Sequence, residues 1–364
     1  MKSLLSILIM CGLMLSSYPV VSVPEKFSES DSDVQVEEVY ENYVIKDEGG
    51  NFLTEKRGVA LGDIIIGSDF NKYEIVFIDD ENLVAVARFV EKIEKPKVHK
   101  KQMENVADVV LNKTLGLYST HNDESYIIGD GTESVYGAGG IHDIANLLAG
   151  ELREKKINVT YDETLHIPHN SSAYTRSRTT AKALLNDGAS AIFDIHRDGA
   201  SRSFYLTEHK GKKYSKIRLV VGQNNPNSEA NLQFALWLVS VADTLYPWLI
   251  ADIYMGSGRY NQDLSAKAML FEMGCHKIEK DYVKNSVPLL ADVIYTTLFA
   301  TAVEEESGNL TVGGVQTENQ GASVDEVLDQ KNPADAGGKV WLFVLGGVGA
   351  AAIGAYIIRR KKIN

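Results

Sequence analysis

Between residues 109 and 303, short apolar runs rich in β-branched residues alternate with segments whose apolar positions recur at helical spacing. The strand-like runs cover 114–119, 157–161, 191–195, 217–221 and 268–273, and the helical patterns 141–152, 174–185, 229–245 and 282–301. Strands separated by helices of this length predict an α/β domain whose largely parallel sheet carries helices on both faces. In such a sheet the strand C-termini share one edge, and ligands bind in the crevice outside it.

Polar residues stand at those ends. The first strand runs into Thr120-His121-Asn122-Asp123-Glu124, the central one into His196-Arg197-Asp198-Gly199, and Leu270-Phe271-Glu272-Met273 into Gly274-Cys275-His276. Two imidazoles and one or two carboxylates converging on a crevice match a zinc hydrolase, which uses three N/O ligands and keeps one position for water. His121 and His196 are the ligand candidates, although a neighbouring carboxylate alone would satisfy His196. Glu124 stands in a His-x-x-Glu spacing that returns its carboxylate to the same ion, and His142, opening a helix, is the rival third ligand. Glu272 lies among apolar neighbours, where an unpartnered carboxylate is costly. A general-base role explains it, as does an ion pair with Arg197 or Arg259. Arg197 is the expected oxyanion stabiliser. Arg178, Asn261 and Asp263 are expected to position substrate, and each reads equally as structural.

Outside this region, residues 40–92 hold strand-like runs broken by turn signals such as Gly49-Gly50-Asn51 and Asp79-Asp80-Glu81-Asn82. They predict a small β-rich domain. It has no cluster of histidine or cysteine, and no chemistry is assigned to it. Residues 93–108 read as a linker. A basic start, an apolar run and small residues over 1–22 match a signal peptide, and the acidic, Ser-rich stretch 23–39 reads as a disordered tether. Residues 304–338 read as a flexible linker before an uncharged apolar run followed by Arg359-Arg360-Lys361-Lys362. That run, about 19 residues or roughly 28 Å as a helix, fits a bilayer, and the basic tail should stay cytoplasmic. Segment 339–364 is therefore expected to be a transmembrane helix and tail, placing the middle of the chain outside the cell. Asn332-Pro333 ahead of the span also resembles a sortase sorting signal, without the Thr-Gly expected after it. The formal charge of −12 argues against a nucleic-acid partner.

The motifs Tyr118-Ser119-Thr120-His121-Asn122-Asp123-Glu124-Ser125-Tyr126, Tyr174-Thr175-Arg176-Ser177-Arg178, Phe193-Asp194-Ile195-His196-Arg197-Asp198, Val221-Gly222-Gln223-Asn224-Asn225-Pro226-Asn227, Gly258-Arg259-Tyr260-Asn261-Gln262-Asp263-Leu264 and Leu270-Phe271-Glu272-Met273-Gly274 occur in this order. Together they resemble the stage II sporulation protein P family, which is related to zinc-dependent N-acetylmuramoyl-L-alanine amidases. The resemblance implies an amidase-like domain over 109–303 and a peptidoglycan hydrolase that cuts the amide between the muramic lactyl group and L-alanine. It also implies an association with cross-link cleavage and with cell-wall or sporulation protein partners. It implies zinc on His121, His196 and, less firmly, Glu124, with Glu272 as the catalytic carboxylate. Two features depart from the family pattern. Cys275 stands where a second glycine is expected, and the span is C-terminal where an N-terminal anchor is expected. A wall-binding scaffold lacking catalysis is the alternative function, and a metallopeptidase acting on proteins a third.

Overall fold

The computed structural model describes residues 42–98 and 114–306, with side chains as far as 298. The expected signal peptide, the tether 23–39, most of the linker 93–108, the spacer beyond 306 and the segment 339–364 lie outside these residues. Among the described residues no helix is long and apolar enough to cross a membrane.

Five strands come first: β1 (Asn42–Asp47), β2 (Phe52–Arg57), β3 (Ile64–Gly67), β4 (Asn71–Asp79) and β5 (Val84–Lys92). Then follow β6 (Thr114–Tyr118), α1 (Ile141–Glu154), β7 (Asn158–Tyr161), α2 (Ala173–Asn186) and β8 (Ala189–Asp198). A hairpin of β9 (Leu206–His209) and β10 (Lys212–Ser215) leads to β11 (Ile217–Gly222), α3 (Ser228–Leu245), β12 (Ile250–Gly256), β13 (Ala268–Cys275) and α4 (Lys280–Glu306).

Apart from the hairpin, these strands form one eleven-stranded sheet in the order β2-β1-β5-β4-β3-β12-β11-β13-β8-β6-β7. The class is α/β as expected, but the sheet is mixed and not largely parallel. Strands β7, β6, β8 and β13 run parallel. Strands β11 and β12 are parallel to each other and antiparallel to β13. A parallel return needs a crossover, usually a helix. After β8 the chain instead makes one helical turn and the β9–β10 hairpin, so it enters β11 reversed. On the other side β3 pairs antiparallel with β12, so the N-terminal strands extend the same sheet.

The two-residue period of the strands sorts their side chains between layers. Ala191, Phe193 and Ile195 of β8 and Met269, Phe271 and Met273 of β13 enter the main core with α1, α3 and α4. Ile192 and Ala268 pack on the opposite face with Ala181 and Leu184 of α2. Continuing that second series along the strands gives Asp194 and His196 on β8 and Leu270 and Glu272 on β13. Register pairs Leu270 with Asp194 and Glu272 with His196. The polar residues thus leave the core at the strand ends, on the face that α2 covers only in part.

Candidate metal centre and active-site cleft

A cleft of about 460 Å³ opens on that face. His121 and Glu124 come from the turn after β6, His196 and Asp198 from the end of β8, and Leu270 and Glu272 from β13. Tyr174 of α2 and Tyr260 of the loop before β13 add aromatic walls, and Lys56 and Arg57 of β2 form another side.

Three donors meet in it. His121 Nδ1 lies 3.3 Å from Glu124 Oε1, and His196 Nδ1 lies 3.4 Å from the same oxygen. One ligand atom from each residue falls within 4.8 Å of the others. The local cause is the turn in which Glu124 N–H donates to the His121 carbonyl, which folds the His-x-x-Glu spacing back on itself. The second oxygen, Glu124 Oε2, accepts the backbone N–H of Arg197 at 2.8 Å. Two imidazole nitrogens and one carboxylate oxygen are a donor set that suits zinc with a position left open.

The protonation states follow from surroundings. Burial pushes the His121 ring down to about 4. Burial also opposes charge on His196, but the carboxylates of Asp194 and Glu124 outweigh it and hold the ring well above the usual histidine range. His196 Nε2 lies 2.9 Å from Asp194 Oδ1, at ion-pair distance but without hydrogen-bond alignment. Asp194 is itself fixed by the Thr120 N–H at 2.8 Å and hydroxyl at 2.6 Å. The Nε2 side of the ring thus faces Asp194 and the Nδ1 side faces Glu124.

Glu272 is the counterpart on β13. Burial above all, and then the Asp198 charge, push its carboxyl up to about 8. Its Oε2 is buried and has no hydrogen-bond partner among the described residues. Arg197 is not that partner, because its guanidinium donates to the carbonyls of Ser125 at 3.2 Å and Glu133 at 2.8 Å. Those bonds brace the loop after β6, and Arg197 remains part of the cleft lining.

His142 lies apart from the three donors: its ring contacts Tyr161 Oη at 2.7 Å and Asn122 Nδ2 at 3.4 Å. Arg178, Asn261 and Asp263 are brought together outside the cleft lining. Arg178 donates to both Asp263 oxygens at 2.8 and 2.6 Å, while Asn261 donates to the Tyr174 carbonyl and the Ser177 hydroxyl. They lock the loop carrying Tyr260 to α2, so they shape the cleft by positioning Tyr174 and Tyr260.

Sequence reasoning passed over Asp194, His169, Tyr174, Tyr260, Lys56 and Arg57. His169 stacks on His121, with ring centres 3.9 Å apart, and bonds Asp123 at 2.8 Å. Asp194 did have a signal: it stands two residues before His196, on the same face of a strand, where a buried charge needs a partner. The β-rich segment, to which no chemistry was assigned, reaches the cleft through β2. Arg218, fully buried, donates to Asp252 Oδ1 at 2.7 Å, to Asp198, and to Thr54 Oγ1 and the Glu55 carbonyl, each at 2.7 Å. One guanidinium thereby ties β8, β11, β12 and β2 together.

Residues 74–295 match the model of the family described as Stage II sporulation protein P. The chain belongs to that family. It is 26% identical over 200 residues to Stage II sporulation protein P of Bacillus subtilis (strain 168). That match covers 50% of this chain and 50% of the relative, so the chain spans about half the length of the curated relative it matches. Among solved structures it resembles the CwlD amidase from Clostridioides difficile in complex with the GerS lipoprotein, at 15% identity and a TM-score of 0.38 over 53% of this chain and 100% of that one. It also resembles the N-acetylmuramyl-L-alanine amidase Ami1 from Mycobacterium smegmatis, at 14% identity and a TM-score of 0.34 over 53% and 99%.

Proposed function

We propose that this family member is a zinc-dependent N-acetylmuramoyl-L-alanine amidase. It would cleave the amide between the muramic lactyl group and L-alanine in peptidoglycan, with cross-link cleavage as a second activity. It would work outside the cell, held at the membrane by segment 339–364, with peptidoglycan as substrate and cell-wall or sporulation proteins as partners. Beside family membership, one observation carries the reading: a buried carboxylate oxygen, Glu272 Oε2, has no hydrogen-bond partner among the described residues and stands in the cleft where His121, Glu124 and His196 converge. A fold that kept such a group only as scaffold would carry its desolvation cost for nothing.

His121, Glu124 and His196 would hold the ion. When bound, zinc supplies a Lewis acid and lowers the pKa of water it binds to about 7. The remaining roles belong to the chain. Glu272, ionised once a cation is bound beside it, takes the proton of the attacking water and returns it to the leaving amine. Asp194 holds the His196 ring in one orientation. Tyr174 and Tyr260 wall the cleft and confine the substrate beside Glu272.

Mass spectrometry of peptidoglycan fragments after digestion tests this reading. The zinc-loaded protein should release peptides with a free N-terminal L-alanine, and Glu272→Gln should release none while retaining zinc. Full activity in Glu272→Gln would overturn the assignment.

A further inference from the structure

The N-terminal β-rich segment contributes a charged side chain to the cleft, and that side chain has a use in the chemistry. Lys56 stands on β2 with its side chain 17% exposed and lines the cleft together with Glu272 and His196. Its ammonium has three N–H donors. One reaches the Arg57 carbonyl at 3.3 Å, and Asp198 lies 3.6 Å away, at ion-pair distance but beyond a normal hydrogen bond.

The strand that carries Lys56 is held firmly. Thr54 Oγ1 donates to Asp252 at 2.5 Å, Arg218 donates to both Thr54 and Glu55, and Glu55 Oε2 accepts the Ser201 N–H at 3.1 Å. On the other side Arg57 lies against Gly199. A Cβ at Gly199 would come within 2.4 Å of Arg57 Cδ, so glycine after His196-Arg197-Asp198 is what lets β2 approach the end of β8. Arg197, another cation in the lining, has its guanidinium committed to two carbonyls.

We infer that Lys56 is the donor that stabilises negative charge on the scissile carbonyl oxygen, an inference that rests on the amide-hydrolase reading above. The water oxygen bonds to the carbonyl carbon, and the C=O π pair moves onto oxygen. Lys56 donates a hydrogen bond to that oxygen while Glu272 holds the water's proton. The pair then re-forms the C=O bond as the C–N bond breaks, and the amine leaves with the proton from Glu272. A fixed donor of this kind favours the transition state over the ground state.

The test is steady-state kinetics on a soluble disaccharide–peptide fragment of peptidoglycan, with the full zinc-loaded chain. Lys56→Met should lower kcat by about 10²–10³-fold, the cost of losing one such donor, with KM nearly unchanged. Zinc content should stay at the wild-type value, and Lys56→Arg should recover most of the loss in kcat. If Lys56→Met does not fold, Lys56→Gln is read in the same way. Unchanged kcat, or a rise in KM alone, overturns the role of Lys56. A zinc-loaded wild type that releases no amine overturns the amide-hydrolase reading and this inference with it, so the two failures are told apart.

Discussion

Replacing Glu272 with glutamine should stabilise the metal-free protein, and the gain should grow with pH. Glu272 has a carboxyl value near 4.5 when unfolded and about 8 in the folded chain, raised first by burial and then by Asp198. Between those values the native state holds a proton that the unfolded state has lost. Stability contributed by this group is therefore full below pH 4.5 and is lost as pH rises toward 8. Each unit is worth ~1.4 kcal/mol, so the ceiling is about 5 kcal/mol, and relaxation around the ionised group cuts this to about 2 kcal/mol. For a domain of this size that corresponds to roughly 4–8 °C in melting temperature. Calorimetry in chelator should show wild type and Glu272→Gln nearly equal at pH 5 and separated by that amount at pH 8.5, the variant melting higher. Any constant cost of burying the amide cancels in the difference between the two pH values. A gap that does not change with pH, or that closes as pH rises, would refute the placement of Glu272 as an unpaired buried carboxyl.

The remaining predictions concern the groups around it. Asp194→Asn should lower zinc affinity by about 10–100-fold, as loss of a ligand-orienting carboxylate does, read by competition with a chromogenic chelator. Gly199→Ala should destabilise the fold by about 1–3 kcal/mol through overpacking against Arg57, measured by urea melts. Arg218→Met should cost about 3–5 kcal/mol, because it leaves Asp252 buried without its cation and Asp198 with Lys56 alone, 3.6 Å away; a double variant that also carries Asp252→Asn should recover part of the loss.

The parts of this molecule that were legible in sequence are those where side-chain chemistry and strand ends coincide. Strands β6, β8 and β13 are short apolar runs that give way to polar residues toward their ends or just past them, His121, His196 and Glu272 among these, and their alternation with helical spacing marks them as strands. The sheet's directions were not legible, because direction depends on what connects the strands. The β9–β10 hairpin is mostly polar, and β12, Ile250–Gly256, is short and follows α3 after only Tyr246-Pro247-Trp248-Leu249. Arg178, Asn261 and Asp263 have the residue types of a binding site, yet they bind one another. A polar side chain near a cleft satisfies the nearest partner, and sequence does not say whether that partner is substrate.

Strand β2 shows the limit most sharply. Its sequence, Phe52-Leu53-Thr54-Glu55-Lys56-Arg57, reads as the solvated edge of a small sheet, and it is indeed the terminal strand of the order. Nothing within those six residues points to a cleft more than 60 positions away along the chain. What brings it there is Arg218, an arginine inside the run Ile217-Arg218-Leu219-Val220-Val221, paired in register with Glu272 but bonded to Asp252, Asp198, Thr54 and Glu55. A fully buried guanidinium is costly unless all its donors are met. The strand lacks the acceptors, β8 and β12 each supply one carboxylate, and β2 supplies the hydroxyl and the carbonyl that complete the set. The arginine thus requires β2 to be present, and β2 brings Lys56 to the reacting centre. Burial of one charge in the core and delivery of another to the cleft are the same structural event.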